Sequence, residues 1–359
     1  MIGQAGAAPR ASNCSEMAAD KTTSGMLALC TAILVAAALY LGRSIFAPVA
    51  FSIFAIAIVW PFQGALQRKV PKLVALLFTL LVTLAVLTLL ALGIAWGSSQ
   101  IGHWLLGNLD RFQLIYTSSN KWLEQHGIFV TQMLVDRFDV AWLVRFAQQV
   151  AARLNSQIGF ALLVFAFTIL GLLETEQLQA RVRKLEDQHS NLRLSAAAGR
   201  IAHLFRKYIF IRSLASVLTG FATFCFALLV GLDLASAWGM ITFVLNYIPF
   251  LGPLVAVVLA TLFAAAQFET LHMALIVLAG LSVIQFSIGS YIEPRLAGAT
   301  LAISPFLVLF AVFFWSLLWG IPGAFIGVPM MIALITVCEQ HVSSRWLATL
   351  LSDSDDRRP

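Results

Sequence analysis

The chain has 359 residues, of which 60% are hydrophobic and only 11% are charged, and its mean hydropathy is +0.88. Because soluble domains carry roughly 25% charged residues, this composition excludes a soluble enzyme, a disordered chain and a fibrous protein. The strands of an outer-membrane β-barrel alternate apolar and polar residues over about 10 positions, whereas this chain has unbroken apolar runs, which excludes such a barrel. The remaining class is an all-α, polytopic membrane protein, because helices satisfy their own backbone hydrogen bonds in lipid. In a membrane protein, a net charge of +6 mostly reflects basic residues in the loops, whose placement follows the orientation of the chain. Nucleic acid is not an expected partner.

Eight stretches of at least 20 residues contain no Asp, Glu, Lys or Arg. A spanning helix needs about 20 apolar residues, so the sequence predicts about eight transmembrane segments. The stretches are 22–42, 44–67, 73–109, 154–173, 213–232, 234–268, 270–292 and 296–338. The sixth and eighth are too long for one straight helix and contain Pro and Gly, so we expect both to be interrupted. Each interruption predicts either a broken span or a hairpin that returns to the side it entered from.

Loop charge predicts the organisation around these segments. Basic residues concentrate in 174–212 and in the short connector 62–72, which the positive-inside bias places in the cytoplasm together with both termini. The predicted parts are a disordered N-terminus (1–21), three transmembrane segments (22–97), an extracytoplasmic amphipathic helical segment (98–156), a fourth transmembrane segment (157–173), a basic cytoplasmic loop (174–211), a C-terminal bundle with broken helices (212–338) and a cytoplasmic tail (339–359).

The interruption of the sixth stretch contains a polar residue within an otherwise apolar segment. Asn246 precedes Pro249, Gly252 and Pro253. Such a break frees backbone amides and carbonyls, which can bind an ion or a polar solute at a half-helix end. The alternative is a proline kink in which Asn246 caps the broken turn.

The second interruption has a similar plan, with Gly320, Pro322 and Gly323 inside an apolar run. Paired breaks in one fold are a sequence indication of a transporter's binding site. We therefore expect the two breaks to form the two halves of a solute or ion path.

The seventh stretch ends in charged residues. Gln285 lies within it, and Glu293, Pro294 and Arg295 close it. Glu293 is the candidate for proton or cation coupling, with Arg295 as its partner or as an anion contact. The alternative is an ordinary helix end at the membrane interface, where both charges are solvated beside a terminating proline.

Several catalytic motifs are absent from the sequence. It contains no GxxxxGK[ST], HExxH or G-x-S-x-G, so we expect neither an ATP-driven pump nor an enzyme. The six histidines and four scattered cysteines have no metal-ligand spacing, so no metal and no other cofactor is predicted.

The C-terminal half resembles the autoinducer-2 exporter family of bacterial inner-membrane proteins. Asn246-Tyr-Ile-Pro249-Phe-Leu-Gly252-Pro253 is similar to the family's Asn-x-Ile-Pro-x-x-Gly block, and the run from Gly289 through Ser304-Pro305 to Pro329 is similar to its closing signature. Glu-Pro-Arg at 293–295 resembles the quorum-signal exporter branch, whereas Ser304 stands where many members have histidine. The resemblance implies transport by a fold of about eight spans, as a homo-oligomer. It leaves the solute open, because some relatives are associated with autoinducer-2 export and others with sodium/proton antiport.

These arguments together predict a secondary-type transporter of the bacterial inner membrane. We expect it to export a small polar solute, with the autoinducer-2 signal as a candidate and H+ or Na+ as the coupling ion. One alternative is a sodium/proton antiporter on the same fold. Another is a non-transporting membrane scaffold that uses 98–156 and 174–212 as docking surfaces.

Overall fold

The computed structural model describes the backbone of residues 11–108, 110–111, 140–188, 194–297 and 304–340, and the side chains of 25–108, 110–111, 159–188, 194–296 and 304–339. The helices in these ranges are α1 (Ala11–Leu41), α2 (Arg43–Gln67), α3 (Lys72–Gly107), α4 (Val140–Gln188), α5 (Leu194–Val230), α6 (Ala235–Leu245), α7 (Leu251–Phe268), α8 (Leu271–Phe286), α9 (Glu293–Ala297), α10 (Pro305–Trp319) and α11 (Ile321–Gln340). A π-helix, Ser287–Ile292, joins α8 to α9.

Seven helices in the described ranges are long and apolar enough to cross a membrane. They are α2, α3, the part of α4 from Gly159, α5, α7, α8 with its continuation to Leu296, and α11. Three shorter apolar helices accompany them, namely Gly25–Leu41, α6 and α10. Each of the eight charge-free stretches therefore contains helix, and the prediction of a polytopic helical membrane protein is confirmed.

Two predicted segments differ from the structure. The N-terminus was predicted to be disordered over 1–21, but the chain is helical from Ala11 onward, because its Ala, Met and Glu residues are good helix formers. The predicted basic loop at 174–211 is helical in its described parts, since α4 runs on to Gln188 and α5 begins at Leu194, and residues 189–193 lie outside the described residues. Polarity alone does not end a helix. Residues 109 and 112–139 of the predicted external segment lie outside the described residues.

The sixth stretch forms an antiparallel hairpin of α6 and α7, called hairpin 1 (235–268). Near its open end the rings of Trp238 and Phe263 pack with centroids 5.2 Å apart. The Gln267 amide closes that end, because its Oε1 accepts from the Asp233 N–H at 2.7 Å and its Nε2 donates to the Gly231 carbonyl at 2.8 Å. Both ends of hairpin 1 therefore lie on the same side, which decides between the two predicted forms of this interruption.

The eighth stretch forms a second antiparallel hairpin, hairpin 2 (305–340), from α10 and α11. Gly323 lies against Trp315, and Gly327 lies against Ala311, so the two arms run antiparallel. The turn falls at Gly320, whose φ of +68° is in the region that favours glycine. Pro305 and Gln340 consequently lie at the same end.

The two hairpins approach each other from opposite ends of α5. Hairpin 1 packs along the C-terminal half of α5, where Gly220 and Gly239 allow close backbone contact. The open end of hairpin 2 lies near the start of α5, because Arg200 forms an ion pair with Glu339 at 3.0 Å. The tips of the hairpins thus meet beside the middle of α5.

Candidate functional site

The tip of hairpin 1 is held in a strained turn. Phe250 has φ +61° and ψ −52°, and the Leu251 N–H donates to the Pro249 carbonyl at 2.7 Å. This is a γ-turn with positive φ, a rare conformation that costs on the order of 1–3 kcal/mol for a non-glycine residue. Strain of this kind persists only where the surrounding packing imposes it, and it clusters at functional sites.

Gly252 permits the tight return of the chain after this turn. A Cβ atom on Gly252 would lie 1.7 Å from the Leu245 carbonyl oxygen. That carbonyl also accepts a hydrogen bond from the Ile248 N–H at 2.9 Å, which limits its freedom to turn aside. The glycine of the first break is therefore required by backbone contact, and Pro249 beside it is buried.

Polar side chains attach the tip to the middle of α5. Asn246 is buried, and its Nδ2 donates to Ser216 Oγ at 3.3 Å. The Tyr247 hydroxyl donates to Ser213 Oγ at 2.9 Å. The Asn246 amide therefore connects two helices instead of capping the broken turn with its side chain.

A buried ion pair lies about one turn from Ser216 toward the N-terminus of α5. Arg212 Nη1 contacts both carboxylate oxygens of Glu293, at 2.5 and 2.7 Å. The Arg212 side chain is 6% exposed and that of Glu293 is 23% exposed. α8 runs antiparallel to α5, with Gly280 against Phe226, and this arrangement places Glu293 opposite Arg212.

Arg295 was predicted as a partner of Glu293 or as an anion contact, and the structure pairs Glu293 with Arg212 instead. The Arg295 guanidinium lies over the Tyr291 ring, 3.9 Å from its centroid. The π-helix before Glu293 changes the helical phase of the residues that follow it, an effect that a regular 3.6-residue pattern cannot anticipate. Gln285, the other predicted residue on this segment, lies eight positions earlier, about 12 Å along the axis, and stays apart from the ion pair.

Two buried donors beside the ion pair lack a hydrogen-bond partner among the described residues. They are Arg212 Nε and the Tyr208 hydroxyl, which lie one helical turn apart on the same face of α5. Tyr208 falls in the predicted cytoplasmic loop and Arg212 at the boundary that follows it, so neither was predicted as a site residue. The polar residues of α5 recur every three or four positions and could have identified this face: Tyr208, Arg212, Ser216, Thr219 and Thr223.

The second break lies at the tip of hairpin 2 and contacts the first. The ring of Phe325 stacks on Tyr247, with centroids 5.5 Å apart. At Gly320 the helix turns back, Pro322 begins the returning arm, and Gly323 packs on the Trp315 carbonyl. The structure thus brings the two predicted breaks together, while their role as a solute path stays a prediction.

The tip of hairpin 2 is also fixed to the first helix. Trp319 is 6% exposed, and its Nε1 donates to the Leu39 carbonyl at 3.1 Å. Within the described ranges, no three His, Cys, Asp or Glu side chains gather where they could hold a metal ion.

Comparison with known proteins identifies the family. A family model described as "AI-2E family transporter" matches residues 29–343. A putative transport protein of Borreliella burgdorferi is 35% identical over 197 residues, so the chain spans about half of that relative, 54%. The AI-2 transport protein TqsA of Escherichia coli K12 is 26% identical over 327 residues, 89% of this chain and 93% of TqsA. A putative transport protein of Haemophilus influenzae is 24% identical over 356 residues, 92% of this chain and 97% of that protein. The chain therefore belongs to the AI-2E family of transporters.

Proposed function

We propose that the chain is a secondary-type transporter of the bacterial inner membrane that exports a small polar solute. The observation that carries this proposal is the meeting of two opposed hairpins, whose tips lie beside a buried ion pair on α5. Interrupted helices that meet at membrane depth are where transporters bind solutes and coupling ions. The path runs past Asn246, Pro249, Gly252 and Pro253 on one tip, and it continues along the second break on the other.

The directions of the hairpins give each tip a separate access side. With the basic helical ends near 174–211 in the cytoplasm, hairpin 2 opens toward the cytoplasm and hairpin 1 opens toward the exterior. In this structure the rings of Tyr247 and Phe325 stack where the two tips meet. Movement of one hairpin away from α5 would admit solute from one side while the other hairpin stays in place.

The first solute to test is autoinducer-2, because TqsA carries the description "AI-2 transport protein" and aligns with 89% of this chain. The experiment is flux of autoinducer-2 in proteoliposomes containing the purified protein, with and without an imposed proton gradient. Glu293→Gln tests the coupling site. Glu269→Gln is the matched control, since that carboxylate is 51% exposed at the open end of hairpin 1.

We expect gradient-dependent flux that Glu293→Gln abolishes and Glu269→Gln retains. Flux that survives in Glu293→Gln would remove the coupling role from this residue. Absence of autoinducer-2 flux from folded protein would exclude that solute.

Sodium/proton antiport is the second candidate, and the observation that favours it is the carboxylate of Glu293 within the transmembrane bundle. A cation exchanger needs such a carboxylate to bind its ions. The pairing with Arg212 weighs against it, because a guanidinium already occupies the position that Na+ would take. Sodium-driven proton movement in the same proteoliposomes separates the two functions.

A further inference from the structure

We propose that Arg212 binds the charge of a small organic monoanion and that Glu293 takes up one proton as this anion arrives. The two are then carried together with no net charge. This inference rests on the proposed function, because it names the class of solute and the coupling stoichiometry of the same site.

The argument begins with the charge of Arg212. A guanidinium stays protonated at any physiological pH, and this side chain is only 6% exposed. Its carboxylate partner in the structure is Glu293. A buried charge without a partner is strongly unfavourable. A proton on Glu293 would therefore leave Arg212 without a counter-charge unless another negative group took its place.

Arg212 has hydrogen-bonding capacity left for such a group. Arg212 uses Nη1 alone for both oxygens of Glu293, and its Nε has no partner among the described residues. The Tyr208 hydroxyl, one turn earlier on the same face, is also buried without a partner. Two adjacent donors without an acceptor fit the oxygen atoms of an anionic ligand, for which guanidinium is a strong partner.

Two further charged side chains, one on α5 and one on α9, are cations and do not offer another counter-charge. On α5, Arg206 donates to the Ala57 carbonyl at 2.9 Å. On α9, Arg295 stacks on Tyr291. Both are cations, so they would favour an arriving anion and could not compensate Arg212. The serine and tyrosine hydroxyls that join the hairpin tip to α5 favour an anion that itself carries hydroxyl groups.

The proposed step conserves charge. A proton binds a carboxylate oxygen of Glu293, and the ion pair between that residue and Arg212 breaks. An anionic oxygen of the solute then accepts hydrogen bonds from Nη1 and Nε of Arg212. The site has zero net charge before and after, so transport should not respond to the membrane potential. Export should be driven by the solute's own gradient and opposed by an inward proton gradient, because the proton leaves with the anion.

The test uses the purified full chain in detergent and sodium lactate as the probe, a hydroxylated monoanion. Thermal unfolding is measured for the wild type, Glu293→Gln, and the double variant Arg212→Gln with Glu293→Gln. Lactamide, the neutral analogue of lactate, is the ligand control, and a bulky sulfonate salt keeps the ionic strength constant.

Glu293→Gln imitates the protonated carboxyl and leaves Arg212 without its counter-charge. We expect lactate to raise the apparent Tm of this variant by several degrees, the wild type much less, and the double variant not at all. Lactamide should have no effect on any of them. Equal shifts in all three proteins, or no shift in any of them, would overturn the inference and leave the ion pair as a purely structural contact.

A second measurement covers the case in which Glu293→Gln does not fold. Lactate binding to the wild type should then be accompanied by uptake of about one proton per lactate, measured in weakly buffered solution. Binding without proton uptake would also overturn the proposal. If autoinducer-2 flux persists while anion binding fails, this inference is wrong and the proposed function stands. Lactate binding with proton uptake, but without flux of autoinducer-2 or lactate, would support the anion site and contradict the proposed transport.

Discussion

Replacement of Gly252 by alanine tests whether the tip of hairpin 1 depends on backbone contact. The added Cβ would lie 1.7 Å from the Leu245 carbonyl oxygen. An ordinary carbon–oxygen contact is about 3.3 Å, so the arms must separate by roughly 1.5 Å. Such a shift would stretch the 3.3 Å hydrogen bond between Asn246 and Ser216 beyond bonding distance.

The expected cost combines overpacking with the lost polar contact. Overpacking a close-packed site costs about 1–3 kcal/mol, and the upper end applies here because both clashing groups are backbone. The lost hydrogen bond adds about 1 kcal/mol. We therefore expect Gly252→Ala to lower the apparent Tm by on the order of 5–10 °C and to reduce flux in proteoliposomes.

The control is Gly102→Ala. Gly102 lies inside α3 with nothing within 4 Å of its ideal Cβ position, so alanine should be neutral or slightly stabilising. Unfolding is followed by fluorescence of the purified proteins in detergent. If Gly252→Ala matches the wild type in both apparent Tm and flux, the packing argument for the tip is refuted.

Two further predictions concern helix packing and topology. Pro61 lacks the N–H that would bond the Ala57 carbonyl, and Arg206 supplies a donor at 2.9 Å. Arg206→Gln should therefore lower the unfolding free energy by about 1.5–3 kcal/mol in the wild type and by much less in a Pro61→Ala background. Equal losses in the two backgrounds would contradict the idea that Arg206 replaces the donor missing at Pro61. Single cysteines at Asp233 and Glu269, in a background without the four native cysteines, should both react with an impermeant maleimide from the same face of the membrane. Reaction from opposite faces would mean that this segment crosses.

Composition and charge spacing predicted most of the fold. The absence of charged residues over 20 or more positions located the long apolar helices of the described ranges, because a charge near the centre of the bilayer is costly. Glycine and proline identified both interruptions. Whether each interruption returned or continued could not be predicted, since this depends on contacts between distant residues, such as Gln267 with Gly231 and Gly323 with Trp315.

The candidate site was predicted in part. Asn246 and the glycines were identified from the breaks in which they lie. Arg212 was missed because the sequence before it is rich in basic residues, as cytoplasmic loops are. Only the antiparallel packing of α5 and α8 shows that it faces Glu293. Arg295 was considered as a partner of Glu293 or as an anion contact because it lies two positions away in sequence, but residues two positions apart do not face each other on a helix.

The opposed hairpins also determine the electrostatics of the backbone at the tips. α6 and α10 end there, and α7 and α11 begin there. Each helix dipole places roughly half a negative charge at a C-terminus and half a positive charge at an N-terminus. Two ends of each sign converge, so their fields largely cancel for a solute between the tips. The backbone then selects neither cations nor anions, and the side chains alone determine the sign of the charge that can bind.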